Sequence, residues 1–200
     1  QRVIYAIDIL ESLDKRSLVT PLLLYHESPK VRARALRALG GAAPAVAERW
    51  LPGIKRMLQD GDVDVRTAAV GALAHITSSS AADLVRPYVA QADSRMAATA
   101  AVVLARSGDD ADRALAEETL SRIGANATDA SARRDVAIAI RQINTDRFHD
   151  LLVPLLYDSD PTVASEAMRS VRQLTVGDFR FVPTLISLLR DRRAKSDARD

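Results

Sequence analysis

Histidines, acidic clusters and arginines are the residues in this chain whose types could do chemistry. His26, His75 and His149 stand apart, and no second histidine or cysteine falls at the three- or four-residue spacing that puts two metal ligands on one helix face. They read as surface or internally satisfied histidines. Asp60-Gly61-Asp62-Val63-Asp64 starts like a calcium loop, but Val65 stands where the sixth-position glycine belongs and Gly71 where the twelfth-position glutamate belongs. It therefore reads as a turn followed by a helix cap, and Asp158-Ser159-Asp160-Pro161 reads as the same device. No glycine-rich phosphate loop or nucleophile elbow is present. The chain has no cysteine, which removes disulfides, thiolate zinc sites and cysteine nucleophiles together. The expectation is no catalytic residue, no cofactor and no metal: not an enzyme. Asn126-Ala127-Thr128 is a glycosylation sequon by spelling only.

The arginines remain. They supply 24 of the 28 basic residues, while the net charge is only +2. Basic residues gather at Lys30, Arg32, Arg34, Arg37, Arg49, Lys55 and Arg56 against Glu48 alone, which reads as a solvated face. Aromatic content of 4% argues against a base-stacking surface. The longest largely apolar run, Met96 to Ala105, holds ten residues, whereas a membrane span needs about 20. With no signal segment, reducing and cytoplasmic surroundings are the expectation.

The elements that must carry these arginines follow from an internal repeat. Anchors at Val31, Val65, Met96, Ala132 and Val163 recur every 31 to 36 residues. Four residues on stand Ala35, Ala69, Ala100, Val136 and Ala167; five on, Leu36, Val70, Ala101, Ala137 and Met168; eight on, Leu39, Leu73, Leu104, Ile140 and Val171. Offsets of four, five and eight make the buried stripe of an amphipathic helix. Three residues before each anchor stands a capping residue: Ser28, Asp62, Asp93, Asp129 and Asp160, with Asp191 as a sixth. A second helix per unit is marked by Pro21, Pro52, Pro87, Pro154 and Pro183 among apolar residues, except at 111–124, which reads as a plainer helix from Asp112 to Ile123.

A proline-bearing first helix, an Asp-rich turn and a Val-Arg-x-x-Ala-Leu-x-x-Leu second helix resemble the HEAT repeat; Val31-Arg32 through Leu39 and Val65-Arg66 through Leu73 carry the likeness best. The resemblance implies an all-α fold: a right-handed α-α superhelix, a HEAT/ARM-like solenoid of about five helical-hairpin repeats plus partial repeats at both ends. On that reading 1–200 is one solenoid, with a half repeat at 1–13, units at 17–41, 45–77, 81–107, 111–144 and 148–175, and a partial repeat at 179–200. Tyr5, Ala6 and Ile9 are expected to be the buried stripe of the half repeat. Both ends read as cut inside repeats, so the chain reads as a fragment of a larger protein. The resemblance also implies that Arg2, Arg32, Arg66 and Arg133 pair with turn acids of neighbouring units, and that the second helices line the inner face. Arg34, Arg37, His75, Arg106, Gln142, Arg169 and Gln173 then form a polar, Arg-rich stripe suited to acidic segments or phosphates.

The function expected is a non-catalytic scaffold that binds a partner protein, or another domain of its own chain, on that concave face. One alternative is a cytoplasmic regulatory domain of a membrane-bound parent. The stretch from Ile4 to Leu39, with Leu10-Glu11-Ser12-Leu13-Asp14-Lys15-Arg16 and Thr20-Pro21-Leu22-Leu23-Leu24, resembles HEAT regions appended to bacterial ADP/ATP-translocase-like carriers. HEAT-like DNA glycosylases and phycobilin lyases rank lower, because basic charge is local and no residue set carries chromophore chemistry. The deoxyhypusine hydroxylases build a two-metal site from several His-Glu pairs, and His26-Glu27 is a single pair. Nucleic acid is not an expected partner.

Overall fold

A computed structural model describes residues 1–39, 44–74, 79–91, 93–125, 128–143, 145–174 and 179–190. Among them every regular element is helical. The α-helices are α1 (Arg2–Ser12), α2 (Pro29–Arg37), α3 (Pro44–Met57), α4 (Val63–Leu73), α5 (Ser79–Val85), α6 (Ser94–Ala105), α7 (Asp110–Gly124), α8 (Ala130–Ile143), α9 (Leu152–Leu156), α10 (Pro161–Leu174) and α11 (Val182–Arg190). Short 3₁₀ segments lie at Arg16–Leu18, Pro21–Tyr25, Arg86–Tyr88 and Asp146–Leu151.

One row is formed by α2, α4, α6, α8 and α10, each packed on the next. The second row, 3₁₀ segments included, packs against the first. This is a solenoid: each unit touches its neighbours and the core runs unbroken between the rows. The anchor stripe fills that core. Val65, Ala35, Ala69, Ala100, Ala132, Ala167, Leu73, Leu104 and Ile140 have essentially no exposed surface, and Met168 alone among the stripe residues is only half-buried. Each Leu or Ile so buried contributes about 1.5–3 kcal/mol.

Turn chemistry starts the row helices. The Asp62 carboxylate accepts the Asp64 and Val65 N–H groups at 2.9 and 3.2 Å; Asp93 accepts from Met96 at 2.9 Å, Asp129 from Ala132 at 3.0 Å and Asp160 from Thr162 at 2.8 Å. Ser28 stands at the same position in extended backbone but its hydroxyl makes no cap bond; Pro29 opens α2 instead. Upstream of it, His26 Nδ1 accepts the Ser28 N–H at 3.0 Å, as Asp60 accepts from Asp62 and Asp158 from Asp160. His26 is therefore a turn residue. Asp191 lies outside the described residues.

Proline shapes the second row. Pro21, Pro87 and Pro154 lie in a 3₁₀ segment, a 3₁₀ segment and a five-residue α-helix respectively, whereas Pro52 stands inside the 14-residue α3. The unit without one holds α7, the longest helix described, at 15 residues.

The expected stripe of the first helix is corrected. Tyr5 and Ile9 are 68% and 39% exposed and Ala6 is exposed, while Ile7 is buried, with Val3 and Leu10 packed partly against the core. The reason is electrostatic. Arg34 on α2 pairs with Asp8 at 2.8 Å and with Glu11, which turns that side of α1 toward α2 and carries Ile7 inward.

Candidate functional site

Successive row helices leave their outward faces open, and between them runs a groove of about 660 Å³. Its floor is small and apolar: Ala68, Gly71, Ala98, Val102 and Ala139, with Ile138. Its walls carry Arg37 from α2, Arg95 from the first turn of α6, Arg106 just after its end, and Arg134, Asp135 and Gln142 from α8. Alanine and glycine occur there because stacked helix backbones approach closely; a Cβ added to Gly71 would stand 3.4 Å from the Thr99 methyl group. Thr67 and Thr99 present no free hydroxyl hydrogen, since they bond back to the Val63 and Arg95 carbonyls at 2.9 and 2.7 Å.

Charge in the groove is one-sided. Among the described residues Arg37, Arg106 and Arg134 make no ion pair, and Arg95 reaches only the exposed Asp64 at 3.6 Å. The single acid is Asp135. Burial pushes its carboxyl above the usual carboxylate range, with Arg95 and Arg134 pulling the other way.

Elsewhere arginine is a fastener between units. Arg32 forks onto Asp60 at 2.8 and 2.9 Å, and Arg133 forks onto Asp158 at 2.6 and 2.9 Å. Burial alone would raise the Asp60 carboxyl, but the Arg32 guanidinium and the Asp62 N–H hold it below the usual range. The Arg133 guanidinium does the same for Asp158. On the second row, Arg56 donates to the Leu24 carbonyl at 3.0 Å, the Tyr88 hydroxyl to Leu58 at 3.2 Å, and Arg122 to Val89 at 2.8 Å. Each closes the end of one unit with a side chain from the next.

Residues 17–105 match the family model of HEAT repeats. No curated protein matches the chain. Among solved structures it is similar to an engineered protein, with 21% identity over 92% of this chain and 93% of that chain and a TM-score of 0.47. It is also similar to a designed armadillo repeat protein in complex with the peptide (KR)4, with 17% identity over 84% and 85% and a TM-score of 0.44. A third is a computationally designed armadillo repeat protein for modular peptide recognition, with 16% identity over 90% and 95% and a TM-score of 0.42.

On this framework the sequence-predicted stripe divides. Arg37, Arg106 and Gln142 come together in the groove. Arg34 faces α1 and is consumed by Asp8 and Glu11. Arg169 lies on α10, paired with Glu166 at 2.9 Å, in a shallower depression that it shares with Arg134. Gln173 is exposed on α10 outside the groove lining. His75 lies outside the described residues. The expected arginine ladder holds at Arg32 and Arg133. At Arg66 it is half made, with bonds to the Asp60 and Gly61 carbonyls at 2.7 and 3.1 Å, because Gln91 stands where the next unit's acid would be. Arg2 is exposed, and His26 stands where its acid would be.

Arg95 and Arg134 were not singled out by sequence reasoning. Relative to the anchors they stand at offsets minus one and two. At about 100° per residue, minus one falls inside the arc spanned by offsets three, six and ten. Helical arithmetic alone could have found Arg95. No helix among the described residues is long and apolar enough to cross a membrane, and no three His, Cys, Asp or Glu side chains there are grouped to hold a metal.

Proposed function

We propose that this chain is a non-catalytic interaction scaffold, one HEAT array over residues 1–200, which docks a partner protein or another domain of its own polypeptide in the groove across α2, α4, α6 and α8. The observation that carries this reading is the convergence of Arg37, Arg106 and Gln142, from three different row helices, on one open trough with an apolar floor. An apolar floor with a polar rim is the anatomy of a docking surface. The groove's polar groups are guanidiniums, an amide, one carboxylate and the Ser131 hydroxyl, and its threonine hydroxyls are bound to their own helices.

A photo-crosslinking residue placed at Thr99 in the full-length protein tests this, with Ser121 on α7 as the control on the opposite row. The expected result is a discrete adduct from Thr99 and none from Ser121. Adducts from Ser121 alone, or from neither position, would overturn the reading.

A further inference from the structure

We infer that the groove takes an acidic segment of its partner, whose carboxylates seat on Arg37, Arg95, Arg106 and Arg134 while small aliphatic side chains lie on the Gly71, Ala98 and Val102 floor, and that Asp135 acts as a built-in brake on affinity. This rests on the docking reading above and adds the chemistry of the occupant.

Four observations carry it. First, many arginines outside the groove have carboxylates of their own, among them Arg32, Arg34, Arg86, Arg113, Arg133, Arg141 and Arg147. Among the described residues the groove's Arg37, Arg106 and Arg134 have none, and Arg95 has only a long exposed contact. Guanidinium forks match carboxylates in pairs of bonds, so an acidic chain satisfies them with specific geometry.

Second, the floor at Ala68, Gly71, Ala98 and Ala139 is small and apolar, so the apolar side chains between the carboxylates have a matching surface to lie on. No aromatic residue lines the groove, which removes the stacking platform that a single-stranded nucleic acid uses.

Third, length fits. Stacked helices lie about 9 Å apart, so four of them span roughly 27 Å, the reach of about eight extended residues.

Fourth, Asp135 is the one like charge such a segment would meet. It is half-buried beside Arg134, and the charged groups acting on it are Arg95 and Arg134 from one side of the balance and Asp93 and Asp129 from the other. Asp135 lines the same groove as Arg95 and Arg134, so an incoming carboxylate would meet its like charge beside those two guanidiniums.

The test uses fluorescence anisotropy with the full chain and a labelled (Glu-Ala)6 peptide, with (Ser-Ala)6 and (Lys-Ala)6 as comparison probes. (Glu-Ala)6 is expected to bind best, with affinity falling as salt rises. Joint substitution Arg37→Glu and Arg106→Glu should weaken it on the order of tenfold. Asp135→Asn should strengthen it roughly threefold, a gain that a damaged fold cannot produce. Helical circular dichroism confirms that the variants are folded. Equal binding of the three peptides, or no gain from Asp135→Asn, would overturn the inference. So would competition by inorganic phosphate or single-stranded DNA that matches the acidic peptide at equal charge. If Thr99 still crosslinks to a partner while the peptides are not distinguished, docking stands and the acidic occupant falls.

Discussion

Between α2 and α4 the residue after the anchor is Arg32, and its guanidinium forks onto Asp60 in the next turn. At α8 the same position is Arg133, forked onto Asp158. At α6 it is Ala97, with no exposed surface, and nine of the twelve residues of that helix are buried. The flanking junctions are closed by charge and the central one by close packing. The difference lies in what each can tolerate. A buried alanine row lets helices approach closely and leaves a smooth outer face, whereas a forked ion pair needs room for two long side chains. The groove floor lies over the packed centre, and the fastened junctions stand on either side of it.

The strongest way to break this contrast is Ala97→Arg, which writes the repeat's usual residue into the packed centre. In sequence register the next unit carries Ala127, not an acid, two residues before its capping Asp129. An unpaired charge there should cost about 3 kcal/mol or more in urea unfolding, and a neutral result would show that the centre is as loosely built as the flanks. Next comes Asp60→Ala, which strands the Arg32 fork; solvent screening included, about 1–2 kcal/mol is expected by the same measurement.

These flanking pairs also set the acid limb of stability. The folded-state values of Asp60 and Asp158 are depressed, so their contribution is present above the unfolded-state value and lost as pH falls through the folded one. Joint Asp60→Asn and Asp158→Asn should flatten that limb, and an unchanged curve would count against the ladder.

The sequence made much of this architecture legible, and its failures have physical reasons. The stripe from Val31 to Val171 depends only on helical period and burial, both local, and it holds in all five units. The first helix failed because its orientation is set by a contact 23 to 26 residues away, from Arg34 to Glu11 and Asp8, which no periodicity encodes. Of the proposed stripe, Arg37, Arg106 and Gln142 share one groove because offsets six and ten face outward. Arg34 was lost because an outward offset says nothing about which acids the neighbouring helix presents. The second-row closures by Arg56, Tyr88 and Arg122 use three different donor positions onto one recurrent carbonyl, so no fixed spacing reveals them.

Two smaller tests sharpen the comparison. Gln91→Asp supplies the acid that Arg66 lacks and should convert a half-made junction into a fastened one, gaining up to about 1 kcal/mol in urea unfolding. Asp135→Asn should raise the melting midpoint at neutral pH by roughly 1–2 °C. Its folded-state value is raised, so folding favours the neutral acid and that advantage is lost as pH rises through the folded value. The amide keeps it, and the gain should vanish in acid; a gain that persists there would assign the effect to packing.

The alanine and glycine floor has one more consequence. A floor of such small side chains offers little to interlock with, so a chain lying along Ala68, Gly71 and Ala98 is located by the charges above it. Such a track selects for the spacing of charges on its cargo while remaining indifferent to the order of the residues between them.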